Sequence, residues 1–304
     1  AGTPRMSQHS PTQLALRRLR RHRLAMVSIG VLVFLAVVVT AADVLTALLG
    51  VDPNAVDLLN RTAPPSAEHW LGTDELGRDV LARLLYGGRI SLFVGLTAAV
   101  AAATVGTIIG LCSGYFGGRL DVVLMRITDS VLALPLLPVL IVLAALDLKK
   151  IGLPDDIAYS ENVSFFRIVV IVALLGWTTV ARLVRGATLS IKERDFVYAA
   201  EGVGGSHFGI MFRHILPNLL SSIIVAVTLS AGGVILLEST LSFLGLGIQP
   251  PMASWGAMLT NAQETIWEAP MLAVYPGLLI LITVISFNFL GDGLQDALDP
   301  RTTH

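Results

Sequence analysis

Asp195-Phe196-Val197-Tyr198-Ala199-Ala200-Glu201-Gly202-Val203-Gly204, closed by His214-Ile215-Leu216-Pro217-Asn218, is polar, punctuated by glycine and flanked by basic residues. It lies between two apolar runs, residues 163–184 and 219–237. Each run is long enough as a helix to cross the hydrocarbon core of a bilayer. A polar segment held between two such runs is a loop at a membrane surface, and it sets the reading of everything around it.

The composition agrees. Of 304 residues, 54% are hydrophobic and only 14% charged, with a mean hydropathy of +0.74. A soluble domain carries about a quarter charged residues, so the excess of apolar surface calls for lipid as solvent. The net charge of −1 gives no reason to expect a nucleic-acid partner. The single cysteine, Cys112, excludes an internal disulfide framework and reads as a small buried side chain.

Residues 1–23 are polar and basic, with Arg5, Arg17, Arg18, Arg20, Arg21 and Arg23. Residues 24–42 then run without a charge, about 28 Å as a helix. A cleaved leader is the competing reading, but this run exceeds the usual apolar length of a leader and more spans follow, so a retained helix is expected. Further runs cover 90–111, 122–146, 163–184, 219–237 and 271–290. Arg126 and Asp129 lie near the start of the third span, Arg167 and Arg182 near the ends of the fourth. Arginines at span ends can snorkel to the interface, and Asp129 reads as an ion pair with Arg126 three residues before it. The expected fold is therefore an all-α integral membrane protein with six transmembrane helices.

Lysine and arginine set the orientation. With the basic N-terminus inside, the inside segments are 1–23, 112–121, 185–218 and 291–304, and the outside ones 43–89, 147–162 and 238–270. Arg119, the group Arg185, Lys192, Arg194 and Arg213, and Arg301 fall inside; 238–270 has no lysine or arginine. Arg61, Arg78, Arg83 and Arg89 weaken the contrast without reversing it, so both termini are expected in the cytoplasm. The chain divides into a basic segment 1–23, a first helix and outer loop 24–89, a core 90–290 containing the loop 185–218, and a tail 291–304. Pro135 and Pro138 mark a break in the third span, and Gly106-x-x-x-Gly110 suits close packing of helices, within one subunit or between two.

No P-loop is present, nor His-Glu-x-x-His, nor Gly-x-Ser-x-Gly. His9, His22, His69, His207, His214 and His304 are scattered over segments that should not meet. Neither intrinsic catalysis, nor a bound cofactor, nor a metal site is expected. Residues 192–216 read instead as two short helices around Gly202, Gly204 and Gly205. Ser206 is placed to cap the second, which offers Phe208, Ile210, Met211 and Phe212 among polar neighbours, and Pro217 should stop it before the next span. Such a piece suits docking in a groove of a soluble protein or lying on lipid headgroups, and composition leaves both open.

Ala199-Ala200, Gly204 four residues on and Ile215-x-Pro217 resemble the "EAA" loop of bacterial ABC-importer permeases. Tyr198 stands where that loop usually begins with Glu, and Glu201 follows three residues later. The resemblance extends to His69-Trp70-Leu71-Gly72-Thr73-Asp74-Glu75-Leu76-Gly77-Arg78-Asp79-Val80 with Tyr86-Gly87-Gly88-Arg89-Ile90-Ser91. It continues in Leu241-Ser242-Phe243-Leu244-Gly245-Leu246-Gly247, Ser254-Trp255-Gly256 and the ending Gly291 to Arg301. From about residue 12 onward the chain is similar to the second, C-type permease of the dipeptide/oligopeptide/nickel importers.

That resemblance implies a type I importer permease in the cell (inner) membrane. It implies a homologous permease beside it, two ATPase subunits carrying ATP and Mg, and an extracytoplasmic binding protein. It implies that Tyr198, Ala199, Ala200, Glu201, Gly204, Ser206, Phe208, Met211, Phe212 and Pro217 form the ATPase-coupling element. The cargo implied is di- or oligopeptides, with nickel complexes, glutathione or oligosaccharides as alternatives. Asp74, Arg78, Asp79 and Trp255 read either as a surface for the binding protein or as part of a lid packed on the chain's own helices, with 79–86 a short helix at the outer face. Glu238, with Ser239 and Ser242, is placed by the permeation path, or else is a carboxylate satisfied by neighbouring hydroxyls. Asp292, Asp296 and Asp299 read as a solvated cap or an ATPase contact. The rival classes are an ion-gradient-driven secondary transporter, which should show midplane ion ligands, and a membrane scaffold.

Overall fold

The computed structural model describes residues 11–150, 152, 154, 156, 160, 162–260 and 262–298. Arg5, His9, Asp299, Arg301 and His304 lie outside the described residues. Within them every regular element is a helix, and one isolated antiparallel bridge joins Thr73 and Asp79 in the long connection before residue 80. The elements open with α1 (Pro11–Arg21), α2 (Arg23–Thr40), α3 (Ala42–Leu49) and α4 (Val80–Phe116). There follow α5 (Gly118–Leu132), α6 (Leu136–Ala144), α7 (Val163–Lys192) and α8 (Asp195–Gly202). The chain closes with α9 (His207–Phe243) and α10 (Met271–Leu298). Five of these (α2, α4, α7, α9 and α10) are long and apolar enough to span a membrane, and six spans result if the bent pair α5–α6 counts as one.

The span expected at 122–146 is bent by 83° between α5 and α6. Pro135 sits at the bend and caps α6 without a side-chain bond. Pro138 falls in the first turn of α6, where a missing N–H costs nothing. Two other boundaries move for physical reasons. The second span begins at Val80 rather than at residue 90, so 79–86 is no separate helix but its first turns. Gly87 and Gly88 do not break it, because the bulk they lack is filled by Trp255 and Val39, which a Cβ on Gly88 would meet at 2.7 and 2.6 Å. The residues 291–298, expected as a tail, continue α10 as helix. Gly291 presses on Leu229 of α9 and Gly293 on Ala25 of α2, while Asp292 and Asp296 face solvent.

α4 and α7 form the most closely packed pair. Gly106, Gly110 and Gly114 lie on one face of α4, and a Cβ there would come within 2.5 Å of the Trp177 carbonyl, 2.5 Å of the Ala181 carbonyl and 2.7 Å of Thr188. The small-residue pattern thus serves packing inside this chain. At this end Leu111, Val180, Val184, Val197, Ile210, Met211, Ile215 and Leu219 share a core. At the opposite end Val80, Leu84, Ile235, Trp255 and Leu272 share another.

Candidate functional site

The loop between α7 and α9 is built from two caps. α8 ends in a Schellman turn: the Gly205 N–H bonds to the Ala200 carbonyl at 3.0 Å and the Gly204 N–H to the Glu201 carbonyl at 2.9 Å. This turn needs the positive φ of +80° at Gly204, where nothing else crowds a side chain. Ser206 then caps α9, its Oγ accepting from the Gly209 N–H at 3.1 Å, as the sequence suggests. Pro217 does not stop this helix. The turn Ile210–Ile215 widens into π geometry, the Leu216 N–H reaching back five residues to the Met211 carbonyl, and the helix runs on through the proline to Phe243. A π turn leaves room for a ring that lacks an N–H.

The side chains singled out in this loop part company. Tyr198, Ala199, Glu201 and Ser206 are exposed, and Val203 is 87% exposed at the tip; Ala200 is half-buried. Met211 turns inward and is 1% exposed, packed in the core with Ile210 and Ile215, so it offers no surface to a partner. Phe208 and Phe212 stack at 6.4 Å and face along α4, where they line an apolar groove of about 440 Å³ with Thr104, Ile108 and Cys112. The expected docking face thus divides into an exposed tip and an aromatic pair that is itself exposed, 70% at Phe208 and 54% at Phe212, beside the groove along α4. A polar cluster anchors the loop. The Tyr115 hydroxyl and His207 Nδ1 lie 2.9 Å apart, and Lys192 Nζ donates to the Tyr115 carbonyl at 2.6 Å while lying over its ring.

At the opposite end, Asp74, Arg78, Asp79 and Trp255 form an internal latch. Asp74 accepts the backbone N–H groups of Leu76 and Arg78, each at 2.9 Å, and the Arg78 Nε at 2.7 Å, with the Arg83 Nε at 3.3 Å. Asp79 caps α4 through the Ala82 N–H at 2.7 Å and meets His69 Nδ1 at 2.9 Å. Trp255 is fully buried and its indole N–H donates to the Leu84 carbonyl at 2.9 Å. Asp74, Asp79 and Trp255 are therefore buried in the lid, not presented as a docking surface. Leu59, Trp70 and Trp267 are among the large side chains exposed there. Nearby, the Tyr86 hydroxyl and then the Arg89 guanidinium hold the Asp43 carboxyl below the usual carboxylate range.

Glu238 is also an internal tie. It is fully buried, and its carboxylate accepts from Ser242 and Ser254 at 2.7 Å each and from Ser91 at 3.4 Å. Ser91 accepts in turn from the Trp255 N–H at 3.1 Å, and Ser242 from the Ile248 N–H at 3.1 Å. Ser239 bonds to the Ile235 carbonyl of its own helix. The residues expected beside a permeation path thus knit α4, α9 and the segment 248–256 together and are buried within the chain. The spacing 235, 238, 239, 242 turns that face of α9 toward α4.

The family described as "Binding-protein-dependent transport system inner membrane component" matches residues 106–304. The chain belongs to that family. The family described as "N-terminal TM domain of oligopeptide transport permease C" matches residues 10–65. Among curated relatives, the dipeptide transport system permease protein DppC of Bacillus subtilis is 43% identical over 296 residues, covering 96% of this chain and 86% of the relative. The oligopeptide transport system permease protein OppC of the same organism is 38% identical over 287 residues, covering 94% and 88%. The glutathione transport system permease protein GsiD of Pectobacterium atrosepticum is 43% identical over 237 residues, covering 78% and 74%.

In this multi-pass inner-membrane permease, features that no sequence motif announced converge at the helix break. A cleft of about 250 Å³ lies between α6, α7 and α9, lined by Leu140, Leu175, Thr178, Thr179, Ser230 and Gly233. Two ion pairs fasten α5 to α7 beside it. Asp129 pairs with Arg182 of α7, not with Arg126 as its spacing suggests, and Arg185 grips Asp121 in a two-pronged contact at 2.5 and 2.6 Å. Both the cleft and the pairs depend on a bend whose angle no local pattern encodes. Tyr115 and His207 were likewise invisible as partners, since they lie 92 positions apart.

Proposed function

We propose that this permease is the membrane-spanning subunit of an ATP-driven importer of di- and oligopeptides. The observation that carries the reading is similarity along nearly the full length to permeases named for dipeptide and oligopeptide transport. The sequence has no P-loop of its own, so the motor lies in other chains: two ATPase subunits that bind ATP and Mg. A homologous permease completes the channel and an extracytoplasmic binding protein delivers cargo. Basic segments place both termini and the α8–α9 loop in the cytoplasm, and the lid with Trp70 and Trp267 outside.

The exposed tip, Tyr198, Ala199, Glu201, Val203 and Ser206, then meets the ATPases. Ala200, Gly204 and Gly205 fix its shape, while Met211 and the π turn before Pro217 join it rigidly to α9. With Tyr198 in the place usually held by an acidic residue, Glu201 is the carboxylate available to a basic partner there. Because α9 runs unbroken from the loop to the lid, force applied at Ser206 reaches the segment around Glu238 without a hinge. Closure of the ATPases would bias a two-state rearrangement of the spans. Similarity to a glutathione permease keeps that γ-linked peptide as a second cargo.

Copurification with two P-loop ATPases and ATP-dependent uptake of dialanine by proteoliposomes of the complex is the expected result. Uptake driven by an ion gradient without ATP would reject the proposal.

A further inference from the structure

Arg167 is a cation in a membrane span that the fold has not neutralised. It stands on the second turn of α7, where an arginine ordinarily snorkels to the headgroups. Here that escape is only partial, the side chain being neither fully buried nor fully exposed. Its Nε is buried without a hydrogen-bond partner, and its Nη2 touches the Leu246 carbonyl at 3.4 Å, the long limit of such a bond. Among the described residues no carboxylate pairs with it. Leu246 packs on Leu140, Ala144, Ile171 and Leu241, which fixes the guanidinium at the outer end of the seam between α6 and α7.

Steps of four, four, three and four residues place Arg167, Ile171, Leu175, Thr178 and Arg182 on one face of α7. Leu175 and Thr178 line the cleft beside Thr179 and Ser230, and Arg182, paired with Asp129, follows one turn further along the same face. One stripe therefore carries an unpaired guanidinium, an apolar trough dotted with hydroxyls, and an ion pair. Arg167 and Thr178 stand about 16 Å apart along the axis, which an extended chain of about five residues spans.

We propose that this cleft is the peptide's station in the permease, with Arg167 receiving its C-terminal carboxylate; the assignment rests on the peptide-import reading above. A carboxylate supplies the charge-assisted bonds that Arg167 lacks, while Thr179 and Ser230 offer hydroxyls to the peptide backbone. The cleft is small and mostly apolar, so affinity stays low enough for release.

The test uses the whole complex, with its binding protein, in proteoliposomes. ATP-driven uptake of trialanine is compared with that of its C-terminal amide, and the binding protein's own affinity for each is measured and divided out. The natural chain is expected to favour the free carboxylate about tenfold, Arg167→Gln to lose that preference, and Arg167→Lys to keep most of it. In a Cys112→Ala background, Thr179→Cys is expected to react more slowly with a methanethiosulfonate reagent when pentaalanine, long enough to reach it from Arg167, is being delivered. Peptide uptake in which Arg167→Gln keeps the preference overturns the site. Should that variant fail to assemble, an unprotected Thr179→Cys overturns it and a protected one supports it. Absence of any peptide uptake by the natural chain rejects the peptide reading itself.

Discussion

At the scale of single residues, chemistry and position carry different amounts of information. Gly204 is legible from sequence because a glycine after a short helix in a polar loop has one common use, the left-handed end of that helix, and the structure gives it φ +80°. A β-branched residue there costs about 1–2 kcal/mol. The complex should still assemble in Gly204→Val, but the Schellman turn that orients the tip should be lost. We expect ATP hydrolysis to persist while uptake falls several-fold. Unchanged uptake per ATP hydrolysed would show that the turn does not transmit. Glu238 gives the opposite lesson. An acidic residue in an apolar run signals importance, yet whether it meets cargo or its own serines depends on Ser91 and Ser254 arriving from elsewhere.

At the scale of elements, apolar runs locate the spans and misplace their ends. α4 begins ten residues early because Asp79 caps it, and α9 begins early because a π turn admits Pro217. Hydropathy registers neither, since Arg83 and Arg89 interrupt one extension and Arg213 and His214 the other, while Val80, Leu84, Ile210 and Met211 are held by packing inside the chain. Pairing of elements is written in small residues, without saying which element is the partner. Gly110 faces the Ala181 carbonyl so closely that any side chain must part α4 from α7, whereas Gly30 on α2 has nothing within 4 Å. Gly110→Leu should therefore cost about 3 kcal/mol or more through overpacking, and Gly30→Leu little. Membrane yield and thermal stability in detergent would check the contrast, and equal behaviour of the two variants would contradict the packing described.

At the scale of the whole molecule, the bend at Pro135 organises the bundle. It turns α6 by 83° from α5, opens the cleft, and leaves α5 tied to α7 through Asp129–Arg182 and Asp121–Arg185. The Asp129–Arg182 pair is about half exposed, so it contributes less than about 1 kcal/mol to stability. Its role is better sought in coordinated movement of α5 with α7. Reversing either charge, Asp129→Arg or Arg182→Asp, should lower ATP-driven uptake with little change in thermal stability, and the double exchange should restore it. Failure of the double exchange to restore uptake would separate the pair from transport.

The sequence by itself determined that this is a helical membrane protein, roughly where its spans lie, that a capped, glycine-turned loop stands between two of them, and which family it resembles. These are local properties: hydropathy over a run, a cap, a turn, a motif. Only the tertiary structure decided that Asp74, Asp79 and Trp255 latch a lid, that Glu238 is tied to serines from distant segments, and that Met211 faces inward while Tyr198 and Val203 face out. It alone left Arg167 unpaired beside a cleft. A side chain's neighbours follow from how helices are bent and rotated against one another, and that is settled by packing across the whole bundle.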